Sequence, residues 1–252
     1  MKEAAVLAYP LAADLLQPVQ RVMMPRAMRV YAPGGTMHVV ARCNNREFCF
    51  TTPEDFAVLL AHLQEMCRTY EVTLYAYTLM SNHIHLLLQA PRTEALSRPL
   101  RWWMTETAKA FHKVRGRRGH FWERRYRAVL VEDDLYALAA LRYLDWNPVR
   151  AGLAPDPATY PWSSCAAYAL GTPNPFLTFH PSYLAVSPYP AVRQRHYRAL
   201  LAPSPDPAAD ARDPRWSTQR AVGSAAFVAR YIPRRGRRKL VSVPAQIQAL
   251  GA

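Results

Sequence analysis

Two histidines bracket one bulky apolar residue at His83-Ile84-His85, inside the run from Tyr75 to Gln89 whose character alternates as a strand does. Successive strand side chains point to opposite faces, so His83 and His85 share one face while Ile84, Leu86 and Leu88 form a core-facing row on the other. With Cα atoms about 7 Å apart, the two imidazoles can turn toward one cation. A histidine pair that merely decorates a sheet is spelled the same way, so both readings stand. A second constellation lies downstream, where Tyr143 and Asn147 stand four residues apart in a helical stretch. That spacing places a phenol and an amide on one helix face, offset by about 40°. Core packing is the bland reading of tyrosines at helical spacing.

Together these residue types suit chemistry on a phosphodiester. A divalent ion held by two imidazoles and an amide oxygen, with open positions, polarises and orients a phosphate that otherwise repels nucleophiles. A phenol is a weak nucleophile unaided, with a pKa of about 10. Its attack nevertheless conserves the phosphate ester as a covalent intermediate, which suits strand transfer better than hydrolysis.

Charge points to the same substrate class. The 252 residues carry a formal net charge of +14, from 32 Lys+Arg against 18 Asp+Glu. Most of the positive charge is arginine, whose planar fork matches phosphate. Nucleic acid is the default polyanion, and a merely solvated basic surface is the alternative. Cys43, Cys49, Cys67 and Cys165 form no Cys-x-x-Cys pair, which favours reduced thiols and a cytoplasmic setting over a disulfide scaffold or a zinc knuckle. No apolar run approaches the roughly 20 residues that cross a membrane. Glu3 and Asp14 also break any signal-peptide layout.

The elements that must position the site follow from periodicity. Thr36–Cys43 alternates as a strand and Asn44-Asn45-Arg46 is a polar loop. Thr52-Pro53 opens a helix carrying Phe56, Leu59, Leu60, Leu63 and Met66. Strands over Val72–Leu79 and Ile84–Gln89 are joined by Met80-Ser81-Asn82, and a helix over about 93–114 is interrupted near Pro99. A strand at Ala128–Val131 and a helix from Leu135 to Asn147, stopped by Pro148, complete the pattern. The predicted fold class is α+β: a ferredoxin-like βαββαβ antiparallel sheet with an appended helix carrying Tyr143, and a mostly helical, proline-rich C-terminal extension. Helices would cover one sheet face and leave the histidine face open. The expected organisation is a loosely ordered leader over 1–24, a principal domain over 25–152, an extension over 153–201, and a linker and basic tail over 202–252. Translation starting at Met23 or Met24 fits the leader.

Arg115, Arg117, Arg118, His120, Trp122, Arg124, Arg125 and Arg127 mix charge and aromaticity as single-strand grooves do. Alternatively Phe121 and Trp122 plug the core while the arginines solvate a loop. The run 233–239 is a backbone clamp or a disordered polycation.

Several segments together resemble a known family, the single-tyrosine HUH transposases, in particular the REP-associated tyrosine transposases and their insertion-sequence relatives. The resemblance rests on Met80–Leu88, Gly119–Tyr126, Arg142–Leu153 and Tyr160–Ser164, with the entry Gly34–Arg42, and covers roughly 25–185. It implies magnesium or manganese on His83 and His85, with Asn147 completing the coordination and Tyr143 as the nucleophile. The implied reaction cuts single-stranded DNA, leaving a 5′-phosphotyrosine and a free 3′-hydroxyl. The implied substrates are palindromic repeats folded into hairpins. The resemblance also allows a homodimer in which a partner's helix completes the site, and a cytoplasmic protein associated with the nucleoid when on DNA. His38 matches the pattern as a supporting residue or as a satisfied structural histidine. Arg42, Asn44 and Asn45 would contact bases or phosphates, or make ordinary turn chemistry. Ser81 in place of a usual proline and Trp146 in place of a smaller aliphatic leave the catalytic groups intact. The main alternative is a catalytically silent, domesticated protein that binds hairpin DNA; a phosphodiesterase in which water attacks is the other.

Overall fold

Met37, Val39 and Ala41, alternate residues of one short strand, occupy the centre of the sheet. The computed structural model describes residue 30 and residues 32–89, 96–204 and 210–232. The leader 1–24 and the basic run 233–239 lie outside the described residues. Strand β1 (Thr36–Arg42) pairs antiparallel with β3 (His83–Gln89) on one side and β4 (Arg127–Val131) on the other. Strand β2 (Thr73–Leu79) pairs antiparallel with β3. Beyond β4 lies β5 (Ala221–Val222), paired parallel to it. The sheet is therefore mixed, in the order β2-β3-β1-β4-β5, and its parallel edge comes from a segment expected to be linker and tail.

Helix α1 (Pro53–Thr69) starts on a capping box: the Asp55 N–H donates to the Thr52 hydroxyl and the Thr52 N–H donates to the Asp55 carboxylate. Its Phe56, Leu59, Leu63 and Met66 are buried at helical spacing. Helix α2 (Ser97–Arg115) holds Pro99 in its first turn, where a missing N–H costs nothing, so the proline begins the helix instead of interrupting it. Both helices cover the face of Met37, Val39, Ala41, Ile84, Leu86 and Leu88, with Trp103 fully buried beneath them.

The other face is not open, contrary to expectation. Besides the histidines it carries Leu87, Val129 and Val131, apolar residues that need cover. A bulge between Leu74 and Ala76 turns Tyr75 and Ala76 to the same side. Helix α3 (Leu135–Asp145) lies across this face through Leu138, Leu141, Tyr143 and Leu144. The Thr78 hydroxyl fastens its end by donating to the Leu144 carbonyl at 3.1 Å. Helix α3 stops at Asp145, two residues short of expectation. Asn147 opens a separate turn, Asn147–Arg150, and Pro148 sits at its start.

Residues 153–201 bring a second tyrosine-rich core, with Tyr168, Tyr183 and Tyr197 packed against α3. The described part of the expected linker and tail, 210–232, belongs to the fold. Arg142, buried on α3, donates to the carbonyls of Leu200 at 2.8 Å and Ala202 at 3.3 Å, and pairs with Asp210 at 2.5 Å. Glu132 accepts from the Ser224 N–H and hydroxyl. All described cysteines are free thiols, and no described helix is long and apolar enough to cross a membrane.

Asp145 is the costly group in this second core. It is 1% exposed, and burial pushes its carboxyl from 3.8 up to about 7 against the opposing hydrogen bond from Tyr197. The Tyr197 hydroxyl donates to Oδ2 at 2.6 Å. The unfolded chain releases this proton near pH 4 while the folded protein holds it until about pH 7, so stability falls across that window and levels off above it. The slope is at most about 1.4 kcal/mol per pH unit. Asp145→Asn keeps an acceptor for Tyr197 and cannot ionise. Thermal denaturation at pH 8 is expected to show the variant more stable than wild type, with the difference vanishing near pH 4.

Candidate active site

Strand register gathers the chemistry. On the α3 side of the sheet, β1 contributes His38 and Arg42 while β3 contributes His83 and His85, with Arg42 opposite His83 and Val40 opposite His85. His38 and His85 stack at 5.2 Å between ring centroids, and His83 and His85 meet edge to face at 5.0 Å. The Tyr143 ring descends from α3 to 5.8 Å from both His38 and His85. Tyrosine and histidines therefore come together in one chain.

Burial sets their protonation. It pushes His38 down to about 3 and His83 to about 4, the latter aided by the Arg42 and Arg212 charges. His85 falls well below 6.5, first by burial and then through its histidine and arginine neighbours. All three imidazoles are thus neutral near pH 7, the form in which histidine is a ligand. His85 Nε2 and His38 Nδ1 are buried with no hydrogen-bond partner among the described residues, and a cation would satisfy the His85 nitrogen where it carries a lone pair. Asn147 donates from Nδ2 to the carbonyls of Tyr143 at 2.8 Å and Leu144 at 3.2 Å, which leaves its oxygen as the end available to a ligand. Among the described residues no group of three or more His, Cys, Asp or Glu is arranged to hold a metal ion. An ion on the histidine pair would therefore need Asn147 or substrate oxygens to complete its shell.

Three neighbours escaped the sequence reading. Arg150 places its guanidinium 4.9 Å from the Tyr143 ring centroid and donates to the Tyr143 carbonyl at 3.1 Å. Its spacing of seven from Tyr143 could have revealed it. Arg212 adds charge beside His83. Trp216, 4% exposed, stacks on Tyr143 at 5.7 Å. No local signal places a tryptophan from the far end of the chain over a helix of the principal domain.

The expected DNA-contact residues divide. Trp122 packs against Phe50, Phe121 and Trp103 and donates its indole N–H to the Met104 carbonyl at 2.8 Å, and Phe121 is buried beside it. Phe121 fills the core, and Trp122, half-buried, is held against it. Arg117 pairs with Glu47 at 2.7 Å, and Arg127 donates to the Ser217 carbonyl at 2.6 Å. Arg118, Arg124 and Arg125 are exposed and unpaired among the described residues. The Glu123 N–H donates to the Arg42 carbonyl and the Asn44 N–H to the Phe121 carbonyl, which ties this loop to the histidine end of the sheet. Arg42 and Asn44 are half-buried there.

Comparison with known proteins accords with this geometry. Residues 33–147 match the family model described as "Transposase IS200 like". A Haemophilus influenzae protein named for the REP-associated tyrosine transposases is 28% identical over 111 residues, which span 40% of this chain and 63% of that relative. The match thus falls short of two thirds of the relative's length. A solved structure of a REP-associated tyrosine transposase bound to a REP hairpin aligns with a TM-score of 0.50 at 20% identity, covering 62% of this chain and 92% of that one, and shows the likeness of fold. A Deinococcus radiodurans protein described as a transposase aligns at 17% identity and a TM-score of 0.35, covering 46% of this chain and 94% of that one. The resemblance carried by the sequence motifs is borne out.

Proposed function

We propose that this chain, an IS200-like, REP-associated tyrosine transposase by its family match, cleaves and rejoins single-stranded hairpin DNA with Tyr143 as the nucleophile. The observation that carries the reading is the meeting of Tyr143 with His85 and His38 within one chain, at 5.8 Å between ring centroids. The strand order β2-β3-β1-β4 with antiparallel pairing throughout supports the ferredoxin-like description of the unit that holds them.

Tyr143 Oη attacks the scissile phosphorus, forming an O–P bond to the 5′ side as the P–O3′ bond breaks. The phenol gives up its proton and the departing O3′ takes one, so charge balances. Arg42 and Arg150, both within electrostatic reach of Tyr143, offset the negative charge gathered on phosphate and phenolate. Reversal by another strand's 3′-hydroxyl rejoins DNA without an outside energy source. His83, His85 and Asn147 would hold a magnesium or manganese ion, which polarises the phosphate when bound. Because Trp216 stacks on a Tyr143 that is itself only 4% exposed, the strand reaches the phenol only as residues 214–218 move aside.

The test is to incubate the protein with end-labelled hairpin DNA and Mn²⁺ and to separate the products under denaturing conditions. A DNA adduct mapping to the Tyr143 peptide supports the reading. Cleavage without an adduct would instead mean attack by water, and binding without cleavage a silent hairpin-binding protein.

The unpaired arginines give a separate expectation. Replacing Arg118, Arg124 and Arg125 together by alanine should weaken hairpin binding and flatten the slope of log affinity against log salt, by about 0.7–0.9 for each phosphate no longer neutralised. Trp122→Ala should also lower the melting temperature, by removing a half-buried side chain packed against the core. Binding isotherms across a salt series check the first, and thermal denaturation the second.

A further inference from the structure

A hydrogen-bond partner decides which ring nitrogen of a site histidine keeps a lone pair. A neutral imidazole has one donor nitrogen and one acceptor nitrogen, and only the acceptor can ligate a cation. His83 Nδ1 lies 2.6 Å from the side-chain oxygen of Asn82. The other end of that amide fixes its sense, because Asn82 Nδ2 donates to the Arg46 carbonyl at 3.2 Å. An amide oxygen only accepts, so the proton sits on His83 Nδ1.

His85 Nδ1 lies 2.9 Å from His38 Nε2, a hydrogen bond that holds a single proton. Either ring could own it, because the far nitrogens, His38 Nδ1 and His85 Nε2, are both buried without a partner among the described residues. The His38–His85 pair thus orients the two rings, and the Asn82 contact alone fixes a tautomer, that of His83.

We infer that Asn82 is a positioning residue that holds His83 as its Nδ1–H tautomer, with the Nε2 lone pair left to meet a cation beside His85. The purpose of the arrangement rests on the metal-site reading above. The tautomer itself is a property of the metal-free protein. Outer partners of this kind set ligand basicity and ring orientation, and their loss costs about 10–100-fold in metal affinity.

The experiment is long-range proton–nitrogen correlation NMR on the full chain with ¹⁵N-labelled histidine, without metal, near pH 7. The expected spectrum shows a protonated Nδ1 and an unprotonated Nε2 for His83. A protonated Nε2 on His83 overturns the inference. Asn82 is half-buried, so Asn82→Leu tests it with little risk to folding. This variant should mix the His83 tautomers and weaken Mn²⁺ binding by about 10–100-fold in an EPR titration, while Asn82→Asp, which keeps the acceptor, restores both. Unchanged tautomers and affinity in Asn82→Leu would remove Asn82 from the role. Wild-type protein with this His83 tautomer but no Mn²⁺ binding would sink the metal-site reading and leave the tautomer assignment standing.

Discussion

Tyr143→Phe is expected to abolish the covalent DNA adduct while leaving the protein folded and bound to its hairpin. The ring keeps its packing on His38, His85 and Trp216 and against the Arg150 guanidinium. No hydrogen bond from the Tyr143 hydroxyl is made among the described residues. Its removal should therefore cost little stability. Chemistry should suffer far more, because the variant lacks the atom that forms the new bond. Loss of a nucleophile lowers turnover by about 10⁴ or more, equivalent to at least about 5.5 kcal/mol of barrier. Single-turnover cleavage of labelled hairpin, with denaturing electrophoresis for the adduct, measures it. Tyr136→Phe, on the same helix but outside these ring contacts, is the control and should cleave at the wild-type rate. Normal cleavage by Tyr143→Phe would move the nucleophile elsewhere.

The histidine face was legible because it depends on a period of two residues, which neither twist nor long-range packing disturbs: His83 and His85 on one side, Ile84, Leu86 and Leu88 on the other. The capping box at Thr52 and Asp55 was legible for the same local reason. Where tertiary packing decided, the sequence misled. Counting two histidines as an open face overlooked Leu87, Val129 and Val131, whose burial brings α3 and the extension down onto the site. The stretch 202–252 looks like a linker by its prolines. Yet Trp216 and the Ala221–Val222 strand are worth ordering, because they find Tyr143, His38 and the edge of β4 to pack on. Basic composition around Trp122 suggested a stacking platform. Its half-buried indole also packs on Trp103 and Phe50, at the margin of a core that helix periodicity alone did not reveal as short of aromatic volume. Local periodicity thus placed the histidine half of the site, and non-local burial supplied its cover.

That cover hangs on Arg142, whose replacement should have the largest effect on stability. The side chain is buried beside the Trp146 ring, with the guanidinium 5.0 Å from its centroid. It holds the carbonyls of Leu200 and Ala202 and the Asp210 carboxylate at once. Asp210 in turn accepts from the Ser204 N–H at 2.7 Å, and its carbonyl accepts from Arg150 Nε at 2.7 Å. One guanidinium thus joins α3, the end of the extension and the start of the segment that brings Trp216 to the site. In Arg142→Ala those acceptors lose their donor where water reaches them poorly, and breaking such a buried pair costs about 3–5 kcal/mol. Arg142→Lys keeps the charge but cannot span three acceptors with one ammonium, so it should fall between alanine and wild type. Denaturant midpoints rank the three proteins. Limited proteolysis should show early cutting between 200 and 215 in the alanine variant, before the strands of the sheet are attacked. Equal midpoints for Arg142→Ala and wild type would mean that the segment over Tyr143 is held by Trp216 and β5 alone, and that Arg142 only fills space.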